Sequence, residues 1–589
     1  MLTSIGKKRP FLLATVAALA LTVLAPLSVS AHDGGDPVPA PAGSAHLDVL
    51  GQFEVNVPGL TTDVWALGNY AYLGSFSDPF CSLDITGVRI IDISDPTDPQ
   101  QVAFIKDKLG TRTNDVKAAT LNTSKWSGDI LVTTNEGCGF TFPRLNVSDA
   151  AINSSNARSG QGGINIYDVT DPTKPHALKQ NFLPKANGIH NTYIWETGDR
   201  AYLLAVDDVA LADVIVVDIT NPRSPKEIAR TGQEDWPSDI AAEIEGPSVF
   251  LHDVWVQDGI AYLSYWDAGL VLLDVSDPTN PAFLGDSTYP NPDLSGLPPE
   301  GNGHVAVPSA DGSLVIFGDE DQTKAASFIN MTIDGTTDTH LVGQANFGPE
   351  PSADFFPTPR NVVAVAANFG CNLVDFPGGS GDVVLIERGV CEFSTKALHA
   401  QDAGYEAYIV FNDAARGDGL ITMGPGVDAP SVTIPGVFVG NTLGNQIKDD
   451  IPNATVNSAF RVVDGEGFMR VFDVTVPANM VQIGTYATER TLPPFNLDAS
   501  GTRDAHNVVV DGDLAYWAWY FEGIRVVDFS DCDAGDGFGG CTPVEIAHFD
   551  GGENPDDIYW GVYVHTLPSG QKVVLASARD SGLWIFDTP

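Results

Sequence analysis

Residues 252–286 read HDVWVQDGIAYLSYWDAGLVLLDVSDPTNPAFLGD, and this stretch decides the fold. It contains four short runs that are rich in β-branched and aromatic residues. An Asp-Gly pair separates the first two runs, and a turn of Asp, Pro, Ser and Thr separates the last two. Such runs, bounded by turn residues, are typical of antiparallel strands. The stretch therefore predicts one four-stranded unit.

The third run and the turn behind it recur along the chain. The seven copies are VRIIDISDPTDP (88–99), INIYDVTDPTKP (164–175), VIVVDITNPRSP (214–225), LVLLDVSDPTNP (270–281), MRVFDVTVP (469–477), IRVVDFSD (524–531) and LWIFDTP (583–589). A four-stranded unit repeated every roughly 40–60 residues is typical of a β-propeller blade. The copies therefore predict seven blades.

The seventh copy is not followed by a fourth strand. Residues 46–55, HLDVLGQFEV, resemble the fourth strands of the other copies. We expect this segment to pair beside residues 583–589, because a closed ring leaves no open sheet edge between the last blade and the first. The predicted fold class is all-β, a seven-bladed β-propeller closed by the mature N-terminal strand.

The fifth copy is interrupted between its second and third strands. The interruption alternates strand, amphipathic helix and strand, and it contains RGVCEF at 388–393 and IPGVFV at 434–439. These motifs resemble the protease-associated (PA) domain. The resemblance implies an α/β domain inserted in blade five that carries no catalytic residues and binds partners or screens access to a neighbouring site.

The seven closing motifs resemble the LVIVD repeat of bacterial and archaeal surface and secreted proteins. This resemblance covers residues 46–325 and 462–589. It implies the propeller fold and leaves the activity unassigned.

The N-terminus has the features of a secretory signal. Basic residues precede the apolar run at 11–27, and the small residues Val-Ser-Ala at 29–31 suit signal cleavage. A membrane anchor is the alternative, but a polar, Pro-rich stretch follows at once. We expect the domains to be a signal peptide at 1–31, a linker at 32–45, the first part of the propeller at 46–325, the PA domain at 326–461 and the second part of the propeller at 462–589.

Charge and cysteine content limit the partners and the compartment. The net charge of -45 opposes binding to nucleic acid and to anionic membranes. The six cysteines suit an oxidising compartment, so we expect a secreted or periplasmic protein without membrane insertion after signal cleavage. Their positions suggest the pairs Cys81 with Cys138, Cys371 with Cys391, and Cys532 with Cys541, although sequence does not fix the connectivity.

The innermost strands of a propeller begin on one face and line its axis. When these strands are aligned, four histidines fall near one mouth of the axis: His190, His252, His304 and His506. The same alignment places Asp63, Asp115 and Asp253 beside them, and the turns between second and third strands add Glu136, Asp267, Glu466, Glu522 and Asp580.

Four imidazoles from four blades could hold a transition metal such as iron, copper or zinc. The alternative is that they satisfy backbone groups around a column of water. The loop at 531–541 has enough oxygen atoms for calcium, but its spacing is not that of an EF-hand, and a disulfide-closed turn is the alternative.

Two functions remain open at this point, so the sequence does not settle whether the protein is an enzyme. The first is a secreted recognition or scaffold protein that binds a protein or glycan on the propeller face under the PA domain. The second is a metal-dependent enzyme, redox or hydrolytic, with the four histidines at the axis and the PA domain as a lid. The chain has no Gly-x-Ser-x-Gly, His-Glu-x-x-His or phosphate-binding loop motif.

Overall fold

A computed structural model describes the chain from residue 44 to residue 589 with gaps. The described residues are 44–55, 57, 59–76, 85–108, 111–137, 162–185, 188–208, 212–237, 240–241, 244, 247–288, 301–321, 325–350, 359–379, 381–462, 465–492, 502–534, 541–551 and 557–589. The signal peptide at 1–31, all but the last two residues of the linker, and the pair Cys81 and Cys138 lie outside the described residues.

Seven antiparallel sheets form the blades of a propeller, as predicted. From the innermost strand outward, blade 1 consists of Thr61–Leu67, Tyr70–Ser75, Gly87–Asp92 and Gln100–Lys106; blade 2 of Val116–Asn122, Ser127–Gly137, Gly162–Asp168 and His176–Lys185; blade 3 of Thr192–Thr197, Arg200–Val206, Val214–Asp218 and Lys226–Thr231; blade 4 of Leu251–Gln257, Ile260–Tyr265, Gly269–Asp274 and Ala282–Asp286; blade 5 of Gly303–Pro308, Leu314–Asp319, Met469–Asp473 and Val481–Tyr486; blade 6 of Val508–Asp511, Leu514–Trp519, Gly523–Asp528 and Val544–Phe549; and blade 7 of Tyr559–Thr566, Lys572–Ala578, Gly582–Asp587 and Val49–Glu54. The innermost strands of successive blades are neighbours all the way round, blade 7 meeting blade 1.

The N-terminal segment contributes strands to the last two blades. Val49–Glu54 pairs antiparallel with Gly582–Asp587 as the outermost strand of blade 7. The two-residue strand Ala45–His46 pairs parallel with Val544–Phe549 at the outer edge of blade 6. A further short strand, Thr111–Arg112, pairs with the second strand of blade 2.

The repeated turn has a local physical cause. In blade 1, Asp92 Oδ1 accepts the Ser94 N–H at 2.9 Å, and Asp95 Oδ1 accepts both the N–H and the hydroxyl of Thr97 at 3.0 and 2.7 Å. The same contacts recur in blade 4, where Asp274 and Asp277 are the acceptors. A short carboxylate that bonds the backbone two residues on stabilises a turn, which explains why the motif ends each third strand with Asp.

The blades bury both faces of their sheets. All but the last residue of Val214–Asp218 is buried, because the sheet packs between the blades on either side of it. Some contacts between blades are close enough to require glycine. A Cβ atom on Gly318 of blade 5 would lie 2.7 Å from the Trp517 ring of blade 6, so only glycine fits there.

Between the second and third strands of blade 5 the chain leaves the propeller and forms a separate seven-stranded sheet, here called the insert. Its strands, in spatial order, are Thr336–Val342, Ala326–Ile333, Thr455–Val462, Arg360–Val365, Val383–Glu387, Ala407–Phe411 and Gly436–Val439. The last four are parallel to one another. Two helices, α1 (Phe393–Asp402) and α2 (Asn441–Asp449), belong to the insert.

Short 3-10 helices occur at Gln233–Asp235, Asn368–Gly370, Leu373–Asp375, Ala429–Ser431, Pro477–Asn479 and Glu489–Thr491. The disulfides Cys371–Cys391 in the insert and Cys532–Cys541 in blade 6 are present, as predicted. Among the described residues, no helix has the length and apolar character needed to cross a membrane.

Candidate metal centre at the propeller axis

Three layers of side chains fill the axis of the propeller. The histidine layer consists of His190, His252, His304 and His506. The carboxylate layer consists of Asp63, Asp115, Asp253 and the ammonium of Lys117. The aromatic layer consists of Trp65, Tyr193, Trp255 and Tyr563. Along the innermost strands the layers follow one another in this order. In blade 4, for example, His252 is followed by Asp253 and then by Trp255.

The four predicted histidines lie in a row, each ring against the next. Ring centroids are 4.6 Å apart for His190 and His252, 4.1 Å for His252 and His304, and 4.2 Å for His304 and His506. The Nε2 atoms of His190 and His252 are 3.2 Å apart. The rings border a cavity of about 110 Å³ that Phe76, Arg112, Glu320 and Trp560 also line.

The Nδ1 atoms of three of these rings are held by other groups. His252 Nδ1 faces the His304 carbonyl oxygen at 3.2 Å, and His506 Nδ1 faces the Trp560 carbonyl oxygen at 2.6 Å. His190 Nδ1 lies 2.5 Å from Glu136 Oε1. A proton on Nδ1 bonded to an oxygen fixes the tautomer and leaves Nε2 with a lone pair. His252 and His506 therefore present Nε2 as their acceptor or ligand atom.

Burial makes most of the histidine layer neutral. Burial lowers the pKa of His252 and His304 well below its ordinary value, and each has a further histidine beside it that acts in the same direction. Burial also lowers the pKa of His506 to about 3. His190 differs, because the Glu136 carboxylate outweighs the effect of burial and raises the pKa of His190 to about 9.

Glu136, one of the predicted turn acids, connects the histidine layer to an arginine. Its Oε2 accepts a hydrogen bond from Arg112 Nε at 2.5 Å. Burial opposes ionisation of Glu136, but Arg112 and His190 together lower its pKa to about 2. The carboxylate therefore stays ionised and orients the His190 ring.

Within the described ranges, two groups of side chains bring three ligand atoms within 4.8 Å of one another. One contains His252, His304 and Glu320, and the other contains Glu136, His190 and Asp208. The described structure thus places the four predicted histidines side by side and adds Glu320 to two of them. His506 belongs to neither group.

Glu320 and Tyr520 are site residues that sequence reasoning missed. Glu320 directly follows the second strand of blade 5, which is the position of the predicted turn acids in other blades. In the sequence, however, the pattern Gly-Asp-Glu-Asp at 318–321 is interpreted as the end of the strand. Tyr520 OH donates to Glu320 Oε1 from blade 6. Nothing in the periodicity of either strand indicates that contact.

The carboxylate layer is held together by ion pairs. Lys117 Nζ lies 3.1 Å from Asp63 Oδ2 and contacts Asp115 Oδ1. Asp115 Oδ2 also accepts the N–H and the hydroxyl of Thr192 at 2.9 and 2.8 Å. Burial raises the pKa of Asp63 to about 7 and that of Asp253 to about 6 in spite of the ammonium.

The aromatic layer lies beyond the carboxylates. The ring centroids of Trp65 and Tyr563 are 4.1 Å apart, and those of Tyr193 and Trp255 are 4.7 Å apart. A cavity of about 40 Å³ lies between the carboxylate and aromatic layers. It has room for about one water molecule, so the roomier approach to the axis lies on the histidine side.

The other predicted turn acids bind loops rather than the axis. Asp267 accepts the N–H groups of Ser248 and Asn302 at 2.6 and 3.2 Å. Glu466 accepts the N–H of Arg503, Asp580 accepts that of Gly59, and Glu522 pairs with Arg503 at 2.9 Å. Of the calcium-candidate loop at 531–541, residues 535–540 lie outside the described part of the chain.

A cleft of about 260 Å³ separates the propeller from the insert. Trp266 and Asn302 of the propeller line one side, and Leu341 and Leu420 of the insert line the other. The Trp266 ring stacks on Phe250 at 5.2 Å and lies 5.5 Å from His252. The cleft therefore borders the histidine layer.

Comparison with known families agrees with this architecture. The PA domain family matches residues 360–447, and the LVIVD repeat family matches residues 58–104, 251–288 and 502–532. The chain thus contains LVIVD repeats and a PA domain, and its propeller has seven blades. The matched part of the PA domain lies inside the insert, and the matched repeats lie in blades 1, 4 and 6.

Curated relatives resemble only a small part of the chain. Leucine aminopeptidase 2 of Arthroderma otae is 32% identical over 123 residues, which is 20% of this chain and 20% of that protein. The E3 ubiquitin-protein ligase RNF13 of Homo sapiens is 43% identical over 70 residues, which is 12% of this chain and 18% of that protein. The chain thus spans about a fifth of the length of these relatives, and the aminopeptidases share only the PA region with it.

Solved structures resemble the chain weakly. The crystal structure of Sqt1 from Saccharomyces cerevisiae covers 92% of this chain and 100% of its own, at 9% identity and a TM-score of 0.38. A zinc aminopeptidase from Bacillus subtilis covers 27% of this chain and 36% of its own, at 18% identity and a TM-score of 0.19. Neither likeness bears on the activity.

Proposed function

We propose that the LVIVD-repeat propeller is a metal-dependent enzyme whose transition-metal centre lies in the histidine layer. The observation that carries the proposal is the pairing of His252 and His304, whose ring centroids are 4.1 Å apart and which both line the cavity of about 110 Å³. Two neighbouring imidazoles from different blades that open onto one cavity are placed to bind one ion together.

The surroundings of the rings support the same proposal. Metal-binding histidines usually donate the other ring N–H to a carbonyl or a carboxylate, and His252 has such a partner in the His304 carbonyl. Ligation needs neutral imidazole, and burial keeps His252 and His304 neutral. The Glu136 carboxylate raises the pKa of His190 to about 9 in spite of burial, so His190 stays protonated and is not one of these ligands.

The bound metal would act as a Lewis acid or a redox centre, and imidazole ligands suit iron, copper and zinc. The side chains of the histidine layer would hold the metal, and the residues around the cavity would limit access to it. The cavity of about 110 Å³ leaves room beside the rings for water or a small reacting group. Arg112 and Glu136 fix His190, and the aromatic layer occupies the axis beyond the carboxylates.

Elemental analysis tests this proposal. Full-length protein purified without a chelator or a metal-binding tag should contain near-stoichiometric iron, copper or zinc. Dialysis against a chelator should remove the metal, and re-addition should restore it. Protein that has never met a chelator and still contains less than about one tenth of an equivalent of any transition metal would contradict the proposal.

A second candidate function is recognition of a protein or glycan in the cleft between the propeller and the insert. The observation that favours it is the half-buried Trp266 ring, which stacks on Phe250 and lines the cleft of about 260 Å³ between the propeller and the insert. Aromatic side chains supply much of the binding energy in such sites. Full-length protein and a Trp266→Ala variant should be compared on glycan and peptide arrays, and binding that survives the substitution would argue against this candidate.

We also propose an extracytoplasmic location for either function. The two disulfides support it, because such bonds persist in oxidising compartments. Fractionation of the source cells, with detection of the protein by antibody, would test it.

A further inference from the structure

A carboxylate and a phenol from neighbouring blades meet beside the histidine layer. Glu320 directly follows the second strand of blade 5, and Tyr520 directly follows the second strand of blade 6. Tyr520 OH donates to Glu320 Oε1, and Glu320 Oε2 lies 3.6 Å from His304 Nε2. One oxygen of the carboxylate is thus held by the phenol while the other faces the imidazole.

The backbone on both sides of this contact is fixed. The Glu320 N–H donates to the Asn302 carbonyl at 2.8 Å, and the residue before it, Asp319, pairs with the buried Arg470 at 2.6 Å. On the other side, the Tyr520 carbonyl accepts the Tyr559 N–H at 3.2 Å. Tyr520 has a φ of 23°, which a non-glycine residue rarely adopts and which the surrounding contacts must therefore hold.

The geometry next to Glu320 is that of a ligand set. The ligand atoms of His252, His304 and Glu320 lie within 4.8 Å of one another, and all three side chains border the same cavity. Ligands of one ion stand roughly 3 Å apart, so each group would move by about 1 Å on binding. His506 does not join this set, because its ring packs between His304 and Trp560 at 4.2 Å from each.

We infer that Glu320 is a ligand of the metal together with His252 and His304, and that Tyr520 is a positioning residue that holds the carboxylate toward it. The inference rests on the proposed metal centre and names its third ligand. Two imidazoles and one carboxylate form a donor set that suits ferrous iron or zinc and leaves positions for water and substrate. The phenol acts through Glu320, as outer partners of metal ligands do.

The chain offers a matched control for the phenol. Tyr486 OH donates to Glu545 Oε2, so it forms a second buried Tyr–Glu hydrogen bond between blades 5 and 6. Neither Tyr486 nor Glu545 borders the cavity of the histidine layer. Loss of this hydroxyl should affect folding as loss of the Tyr520 hydroxyl does, but it should leave the metal site unchanged.

The test uses full-length protein freed of metal by dialysis and titrated with Zn²⁺ or Co²⁺ in a calorimeter. Tyr520→Phe should weaken metal binding by about 10- to 100-fold, the usual effect of losing an outer partner, whereas Tyr486→Phe should stay within about twofold of wild type. Glu320→Gln should weaken binding at least as much as Tyr520→Phe. The visible absorption of the Co²⁺ protein should change in both site variants, because the oxygen ligand is altered, and should stay unchanged in Tyr486→Phe.

The outcomes separate this inference from the proposed function. Wild-type protein that binds neither ion would overturn the metal centre itself. Wild-type protein that binds metal, with Glu320→Gln and Tyr520→Phe matching Tyr486→Phe in affinity and spectrum, would overturn only the inference. If Tyr520→Phe fails to fold, the nearly isosteric Glu320→Gln decides the question alone, because wild-type affinity in that variant would exclude the carboxylate as a ligand.

Discussion

The histidine layer and the carboxylate layer lie one above the other on the same axis, and both consist of buried polar groups from several blades. They differ in how those groups are satisfied. In the carboxylate layer, Lys117 is a built-in cation that contacts Asp115 and Asp63. In the histidine layer, burial lowers the pKa of His252, His304 and His506, so these three rings are neutral, and they line a cavity. The carboxylate layer contains its own cation, whereas the neutral rings of the histidine layer have space beside them for one.

This difference shows how a structural cluster can be told from a candidate site in one fold. When one partner of a buried ion pair is replaced by a neutral residue, the other partner is left as an uncompensated buried charge, and the protein is destabilised. Loss of a ligand from a metal centre removes the metal while the strands keep their backbone hydrogen bonds. The two layers should therefore respond differently to single substitutions, stability changing in one and metal content in the other.

The largest effect should come from Lys117→Met. It leaves Asp63, Asp115 and Asp253 buried without a cation, and we expect a loss of about 3–5 kcal/mol in the free energy of unfolding with metal content unchanged in the folded fraction. The control is Lys572→Met, which breaks a half-exposed pair with Asp511 and should cost less than about 1 kcal/mol. Unfolding curves in denaturant measure the free energy of unfolding of both variants. Equal losses in the two variants would remove the distinction between the layers.

His252→Ala should have the next largest effect, on metal content rather than stability. We expect metal to fall below about one tenth of the wild-type value, because each lost ligand opens the coordination sphere. His565→Ala is the control. His565 Nε2 forms a hydrogen bond with the Gly68 carbonyl oxygen at 2.7 Å, and this residue does not line the cavity of the histidine layer. Elemental analysis of the three proteins decides the result, and wild-type metal content in His252→Ala would contradict the proposed centre.

A smaller effect should appear in the pH dependence of stability. Burial raises the pKa of Asp63 to about 7 from an ordinary value of 3.8. The folded protein thus holds this proton more tightly than the unfolded chain, so the stabilisation is complete below about pH 4 and is lost as the pH rises through 7. Asp63→Asn should reduce the slope of the melting temperature between pH 4 and 8, and the rest of the slope should come from other buried acids with a raised pKa, such as Asp107 and Asp213. A wild-type slope in the variant would mean that Asp63 does not titrate in this range.

The smallest effect on either layer should come from replacing the insert, residues 326–462, with a short Gly/Ser linker. The insert leaves and re-enters between two adjacent strands of blade 5, so the propeller core should not depend on it. We expect an unchanged metal content and a melting temperature within a few degrees of wild type. A deletion variant that is unfolded by circular dichroism would show that the insert and the propeller share a core.

The sequence was sufficient where the pattern is local and repeated. Seven copies of a strand with an Asx turn behind it predicted seven blades, and RGVCEF with IPGVFV predicted the PA domain. The pairs Cys371–Cys391 and Cys532–Cys541 were also predicted correctly. These features depend on contacts between residues that are close in sequence or occupy equivalent places in each blade.

The contacts within the candidate site depend on the orientation of single side chains at the boundaries between blades, which the sequence pattern does not give. Aligned strand starts led to the four histidines, but they did not distinguish His506, which packs against Trp560, from His252, which faces His190. Glu320 and Lys117 were missed because each also contacts a residue of another blade, Tyr520 for Glu320 and Asp63 for Lys117, and the pattern of a single strand does not indicate such a contact. Alignment gives the place of a residue along its strand, and only the packed neighbours give its contacts.

The N-terminal strand also sets the order of events in folding. Val49 pairs with Phe586, so a strand made at the start of synthesis has no partner until more than 500 later residues have been added. At 5–20 residues per second this wait is roughly 30 to 100 s. The edge of Val49–Glu54 is open to foreign strands during that time. Pairing of Val49–Glu54 with Gly582–Asp587 is therefore a late, long-range step, and a chaperone that covers the unpaired strand would protect the chain until its last blade exists.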